Sequence, residues 1–342
     1  MKKTLLIILS VFLFSATAVA EQNFNTLLRS AQQGDVEAMC DLGIAYYYGR
    51  GTLKDPFKAK CWVQKAYQLG LKRAEQTWAE LELWQYSGKC DSLSSEEIRS
   101  RFVQGDDFFE PVTGHRFIYL ATGCFEMGCP DGSKKCVKNE TPGHTVCLDG
   151  FWIGATEVDQ ALWVKIMGSN PSRFANDLSR PVENVSFKDV ERFIQRLNQI
   201  SGQTFSLPTE AQWEYACTSG GTNAAFPWQG DGYRPHANCG NCRRRTNASQ
   251  TLPVATFPPN KAGLYDMGGN VKEWCRDVYD KKAYAEHAEK NPEYTGKGAL
   301  RVLRGGSFTD NARKLRCRAR DKSIPGMGAD NIGFRLVLVR KP

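Results

Sequence analysis

The chain has 342 residues, a formal net charge of +8, 41% hydrophobic and 24% charged residues, and 12 cysteines. That length, after processing, suffices for one large core plus a small accessory domain. The charge is modest and no long basic run carries interleaved aromatics; Arg243-Arg244-Arg245 is the densest cluster and reads as a solvated loop, so nucleic acid is not an expected partner.

The chain opens MKKTLLIILSVFLFSATAVAEQ. Lys2 and Lys3 form a charged start, Leu5 to Phe14 an apolar stretch too short to span a bilayer, and Ala18-Val19-Ala20 before Glu21 a small-x-small cleavage site. Residues 1–20 are therefore expected to be a signal peptide, and the mature protein, with formal charge +6 once the two leader lysines are gone, to be periplasmic or secreted. No cysteine follows the small residues and no later segment is apolar enough to cross a membrane, so no anchor is expected. Every cysteine lies beyond the cleavage site, and an even, high count in an exported chain predicts disulfides.

Residues 21–86 show helical periodicity in two blocks. Ala38, Leu42, Ala45 and Tyr46 share one face before Gly49 and Gly51 break the run. Pro56 can open a second helix, where its missing N–H costs nothing, and Phe57, Cys61, Val63 and Ala66 continue to Gly70. A third block starts at Ala74. The spacing of Ala38, Leu42, Gly43, Tyr46, Gly49 and Gly51, then Lys58-Ala59, Trp62 and Lys65-Ala66, resembles a Sel1-type repeat. It covers about one and a half repeats, fewer than the ~3 of a free-standing array. The resemblance implies a protein partner for this module, with a structural cap as the alternative. Residues 87–112 are polar with broken periodicity and read as a linker.

From residue 113 to 342 the pattern changes to short apolar or alternating runs between Gly-, Pro- and Asn-rich stretches. Two helices are expected to interrupt them. Ser186 caps a run with Phe187, Val190, Phe193 and Leu197 on one face, and Asp189 stands at the capping-box position. Thr209 and Gln212 form the same box ahead of EAQWEYAC. The fold class is α+β with much irregular structure, its loops held by disulfides or ions.

In this domain GCFEMG, PVENVSFKDVERFIQRLN, LPTEAQWEYAC, FPPNKAGLYDMGGNVKEW, RVLRGGSF and NIGFRLV follow one another between Phe117 and Val339. Their order resembles the formylglycine-generating enzyme family, whose domain is also called the sulfatase-modifying factor. The resemblance implies an irregular C-type-lectin-like fold. In catalytic members two cysteines after Gly-Gly-Ser hold Cu(I) and use oxygen to oxidise a substrate cysteine; the positions that match here are Asp310 and Leu315. A carboxylate and a leucine do not supply the soft thiolates that Cu(I) requires, so no copper and no formylglycine formation are expected. The family neighbourhood of that site maps to pocket candidates Ser307, Asp310, Arg320, Asn331 and Arg335. A structural calcium site is implied at Asp266, Gly269, Val271 and Glu273, and a weaker second one at Asn238, Cys239 and Asn247, where an asparagine replaces a carboxylate.

The resemblance pairs Cys217 with Cys317, while a second family bridge, near Ile200 and Leu336, has no cysteine at either end. The spacing of the other cysteines admits several pairings. Cys124–Cys147 with Cys129–Cys136 is one of three arrangements of those four. Cys239 and Cys242 form a C-x-x-C read as a small structural disulfide, and Cys40–Cys61 staples the first two helices. Cys90 and Cys275 then remain as a tie between linker and main domain. Relatives that bind iron through histidines have no counterpart in the spacing of His115, His144, His236 and His287. The expectation is a pseudoenzyme, a binding or regulatory module for a protein or polar ligand. The alternative is an oxidoreductase of altered chemistry acting on a protein side chain or secreted metabolite.

Overall fold

The structure, a computed structural model, describes residues 23–83, 90, 107–110, 112–129, 136–228, 236–240 and 249–338. The expected signal peptide, most of the expected linker, Arg243-Arg244-Arg245, Cys242 and Asn247 lie outside the described residues. The chain forms two compact units, one of Met1–Gln104 with Phe108–Gly114 and one of Gly105–Asp107 with His115–Pro342.

The first unit is helical. Helix Val36–Tyr48 starts where the Asp35 carboxylate accepts from the Ala38 amide and stops at Gly49, which adopts the left-handed conformation at φ 72°. Helix Pro56–Gln68 is capped by Asp55 with Pro in its first turn, and Lys72–Glu80 follows. Gly43 is the contact point of the first two: a Cβ there would stand 2.4 Å from Val63 Cγ2. Leu42, Ala59, Val63, Ala66 and Ala74 are fully enclosed between the helices.

The cysteine pairing here differs from expectation. Cys61 is bonded to Cys90, and Cys40 is a free thiol. Helical phase is the reason: Cys40 faces the core and donates to Thr77 Oγ1 at 3.5 Å, whereas Cys61 lies on the half-buried flank. The expected Cys90–Cys275 tie is overturned with it, since Cys275 is a buried free thiol of the second unit.

In the second unit, strands Arg116–Leu120, Phe151–Gly154, Val337–Leu338 and Phe205–Ser206 lie side by side, each antiparallel to the next. A four-stranded sheet places Ile332–Gly333 parallel to Lys272–Val278, followed by Arg301–Arg304 and Asp321–Ser323. The hairpin Gly123–Met127 with His144–Leu148 brings Cys124 opposite Cys147, and the two are bonded. Cys129–Cys136 and Cys217–Cys317 are bonded as well.

Helix Phe187–Ser201 has its Ser186/Asp189 capping box formed and buries Phe187, Val190, Phe193 and Leu197. Helix Glu210–Cys217 is opened by the Thr209/Gln212 box. A third helix, Gln160–Met167, was not expected: its ALWVKIM run reads as well as a buried strand, and Asp159 and Gly168 supply its caps. Trp213, Trp274, Phe117, Phe193 and Phe334 fill the interior.

Candidate functional site

Strand Arg301–Arg304 runs into Gly305 and Gly306, both left-handed at φ 90° and 68°. A Cβ on Gly306 would sit 2.9 Å from the Lys314 carbonyl, so only glycine lets the chain fold back this tightly. The turn delivers Ser307, fully buried, into a polar cluster. Its hydroxyl donates to Asp310 Oδ2 at 2.7 Å and accepts from Asn331 Nδ2 at 3.2 Å. Asn331 also donates to Thr309 Oγ1 at 3.0 Å. Lys272 Nζ lies 3.4 Å from Asp310 and 2.8 Å from Asp321. Burial opposes charge on Lys272, but these two carboxylates outweigh it and raise its pKa.

Three of the five expected pocket residues, Ser307, Asp310 and Asn331, therefore meet. Sequence reasoning missed Thr309, although it lies between Ser307 and Asp310, and Lys272 and Asp321, which no local spacing connects to them. Leu315, at the other position matching a catalytic cysteine, is fully buried in an apolar cluster with Ala237 and Cys239.

Arg320 and Arg335 are each engaged by a buried glutamate rather than by Ser307, Asp310 or Asn331. Arg320 Nε and Nη2 each donate to Glu210 at 2.7 Å. Arg335 Nε and Nη2 each donate to Glu273 at 2.6 Å, and its Nη1 reaches the Gly154 carbonyl at 3.1 Å. Both guanidinium groups are buried and bidentate, the geometry that makes arginine tolerable in a core. Arg304, also buried, pairs with Glu214.

The expected first calcium set is divided by the same pairing. Glu273 holds Arg335 with both oxygens and accepts from Trp213 Nε1 at 2.7 Å. Asp266 adopts φ 52° and accepts from the Ala255 amide at 2.7 Å. Beside it lies Glu157, fully buried, accepting from Asn270 Nδ2 at 3.4 Å and with Oε1 lacking a partner. Loss of hydration and mutual repulsion push Glu157 well above the ordinary range, and burial raises Asp266 to about 6. At the expected second set, Asn238 donates to the Gln250 carbonyl at 3.1 Å and Cys239 is disulfide-bonded. Among the described residues no three His, Cys, Asp or Glu side chains gather into a metal-holding cluster.

Two histidines that sequence spacing kept apart do meet: His144 Nε2 is 3.1 Å from His287 Nδ1. His115 instead contacts Asp159 at 3.2 Å, and His236 stacks on Trp228. Cys275 is a poor thiolate source, since burial and then Asp277 push its thiol well above the usual range.

The profile of the Sulfatase-modifying factor enzyme 1-like domain matches residues 104–340, starting earlier than the motifs at Phe117. A formylglycine-generating enzyme of Streptomyces coelicolor is 31% identical, over 64% of this chain and 87% of that one. A protein of Chlamydia caviae named serine/threonine-protein kinase pkn1 is 29% identical over 80% of this chain, which spans 46% of its length. Among solved structures, that of PvdO from Pseudomonas aeruginosa is similar with TM-score 0.61 and 26% identity, covering 68% of this chain and 98% of that one.

Proposed function

The chain belongs to the sulfatase-modifying factor family, and from that premise we propose that it is an exported member that does not generate formylglycine. It serves instead as a binding or regulatory module for a protein or polar ligand. One feature of the sequence carries the reading: by the family resemblance, Asp310 and Leu315 match the positions of the catalytic thiols. Asp310 is held by Ser307 and Lys272, and Leu315 is enclosed in apolar packing, so neither place offers a soft donor. The two free thiols among the described residues support it further, since Cys40 and Cys275 are both buried and burial holds Cys275 as a thiol.

Export is supported by the Lys2-Lys3 leader and the disulfides, and no helix among the described residues is long and apolar enough to cross a membrane. A lectin-like framework and a Sel1-type helical module recruiting a protein complete the reading. The close Gly43–Val63 approach in the helical unit suits such a repeat.

Calcium is proposed at Asp266 and Glu157 with the Gly269 and Val271 carbonyls. Glu157 Oε1 is a buried oxygen without a partner, and two neighbouring buried carboxylates fit a hard divalent cation. The ion would neutralise that pair and brace the loop; Glu273, engaged with Arg335, would remain outside its ligands. Calcium is then expected to raise Tm relative to a chelated sample, a ligand at 100-fold excess over Kd giving about 2.7 kcal/mol. Asp266→Asn should remove most of that rise, and identical melts with and without calcium would refute the site.

The test of the main reading is a Cu(I) titration against a chromophoric chelator. The expected result is no withdrawal of copper from the chelator by the native, unreduced protein. Stoichiometric uptake lost on Asp310→Ala would overturn it.

A further inference from the structure

The second unit also carries a cleft of about 760 Å³, within the range of ligand sites. One wall is the segment around Val137–Pro142, the other the turn Tyr279–Ala285, with Leu300 and Lys322 closing it. The lining divides by chemistry. Val137, Pro142, Ala285 and Leu300 make an apolar surface around the Tyr279 ring, while Lys138, Lys281, Lys282 and Lys322 bring four ammonium groups to its edge. All four lysines are exposed, and among the described residues none of them forms an ion pair. The one acid in the lining, Asp280, accepts from the Lys282 amide at 2.7 Å and caps its own turn.

The cleft is also built. Arg320, fixed by Glu210, donates through one nitrogen to the Asn139 carbonyl at 2.8 Å and to the Asp280 carbonyl at 3.1 Å. A single buried guanidinium thus pins both walls, which accounts for Arg320 better than a place in the Ser307 pocket. The Tyr279 hydroxyl is held by Asn139 Nδ2 at 3.0 Å, and Lys322 Nζ stands 4.7 Å above its ring. An apolar floor held in place under four cations, none of them in an ion pair among the described residues, is complementary to negative charge flanking an apolar group.

We propose that this cleft binds a short acidic peptide segment of a partner protein, an apolar side chain seated against Tyr279 and carboxylates reaching the lysines. The inference rests on the binding-module reading and adds to it a place and a partner chemistry. Lysines suit several dispersed carboxylates better than one planar anion, because each is a mobile point charge.

The experiment uses the full mature protein and a fluorescein-labelled Glu-Glu-Phe-Glu-Glu peptide, read by anisotropy. Saturable binding is expected, weakened about tenfold or more by Lys281→Glu with Lys282→Glu, the equivalent of about 1.4 kcal/mol or more. Lys138→Glu with Lys322→Glu should act in the same way, and serves if the first pair does not fold. Lys188→Glu with Lys261→Glu, the same charge change on exposed residues outside the cleft, should leave affinity within about twofold, and a Gly-for-Phe peptide should bind more weakly. No saturable binding, or equal loss from both kinds of charge reversal, overturns the cleft. Neither result touches the reading of the Ser307 region, which fails separately, on copper uptake.

Discussion

Glu210 sits fully buried between two arginines, bidentate to Arg320 and 3.7 Å from Arg304 Nε. Burial alone would raise its pKa, yet the two cations outweigh that and hold it below the ordinary carboxylate range. Replacing Glu210 with Ala leaves Arg320 buried without its partner, and urea unfolding should register a loss of about 3–5 kcal/mol. A loss below about 1 kcal/mol would mean that the pair is dispensable. His287 gives a different signature. Burial, opposed by Glu210 and assisted by His144 and Arg320, lowers its pKa to about 4. The unfolded chain takes up that proton near pH 6.5, so stability from the neutral ring is present above that pH and drains away as pH falls toward 4. Thermal melts at pH 7.5 and pH 5 should therefore show a larger drop in Tm for the parent than for His287→Gln; equal drops would remove His287 from the acid response.

At the scale of elements, the bond between Cys217, closing helix Glu210–Cys217, and Cys317 spans 100 residues of sequence. Removing it with paired serines should cost about 2–5 kcal/mol by restoring freedom to the unfolded chain. A change in Tm of under a degree would deny the bond that role. The helices Phe187–Ser201 and Glu210–Cys217 were legible because their capping boxes are complete within four residues of sequence. Helix Gln160–Met167 was not, being eight residues long and without a clear polar face. The Cys40–Cys61 staple failed for a related reason: spacing predicts that two helices pack, but not which flank of each turns inward. Ser307, Asp310 and Asn331 could be found through family motifs, whereas the ion pairs of Arg320 and Arg335 could not. Their environment is set by Glu210 and Glu273, carboxylates delivered from distant parts of the chain.

Across the whole molecule, buried Arg–carboxylate pairs brace the interior of the second unit, and disulfides tie its loops. Asp310 is held by hydrogen bonding and a lysine, and Leu315 by apolar packing. That arrangement accords with the binding-module reading proposed above, to which the lysine-edged cleft adds a place for a partner. The most direct measurement follows a cysteine-containing substrate peptide by mass spectrometry and dissolved oxygen by electrode, with the native protein, Cu(I) and a thiol reductant. The account predicts no formylglycine and oxygen uptake no faster than copper and thiol alone. Copper-dependent conversion of the peptide, abolished by Asp310→Ala, would contradict it.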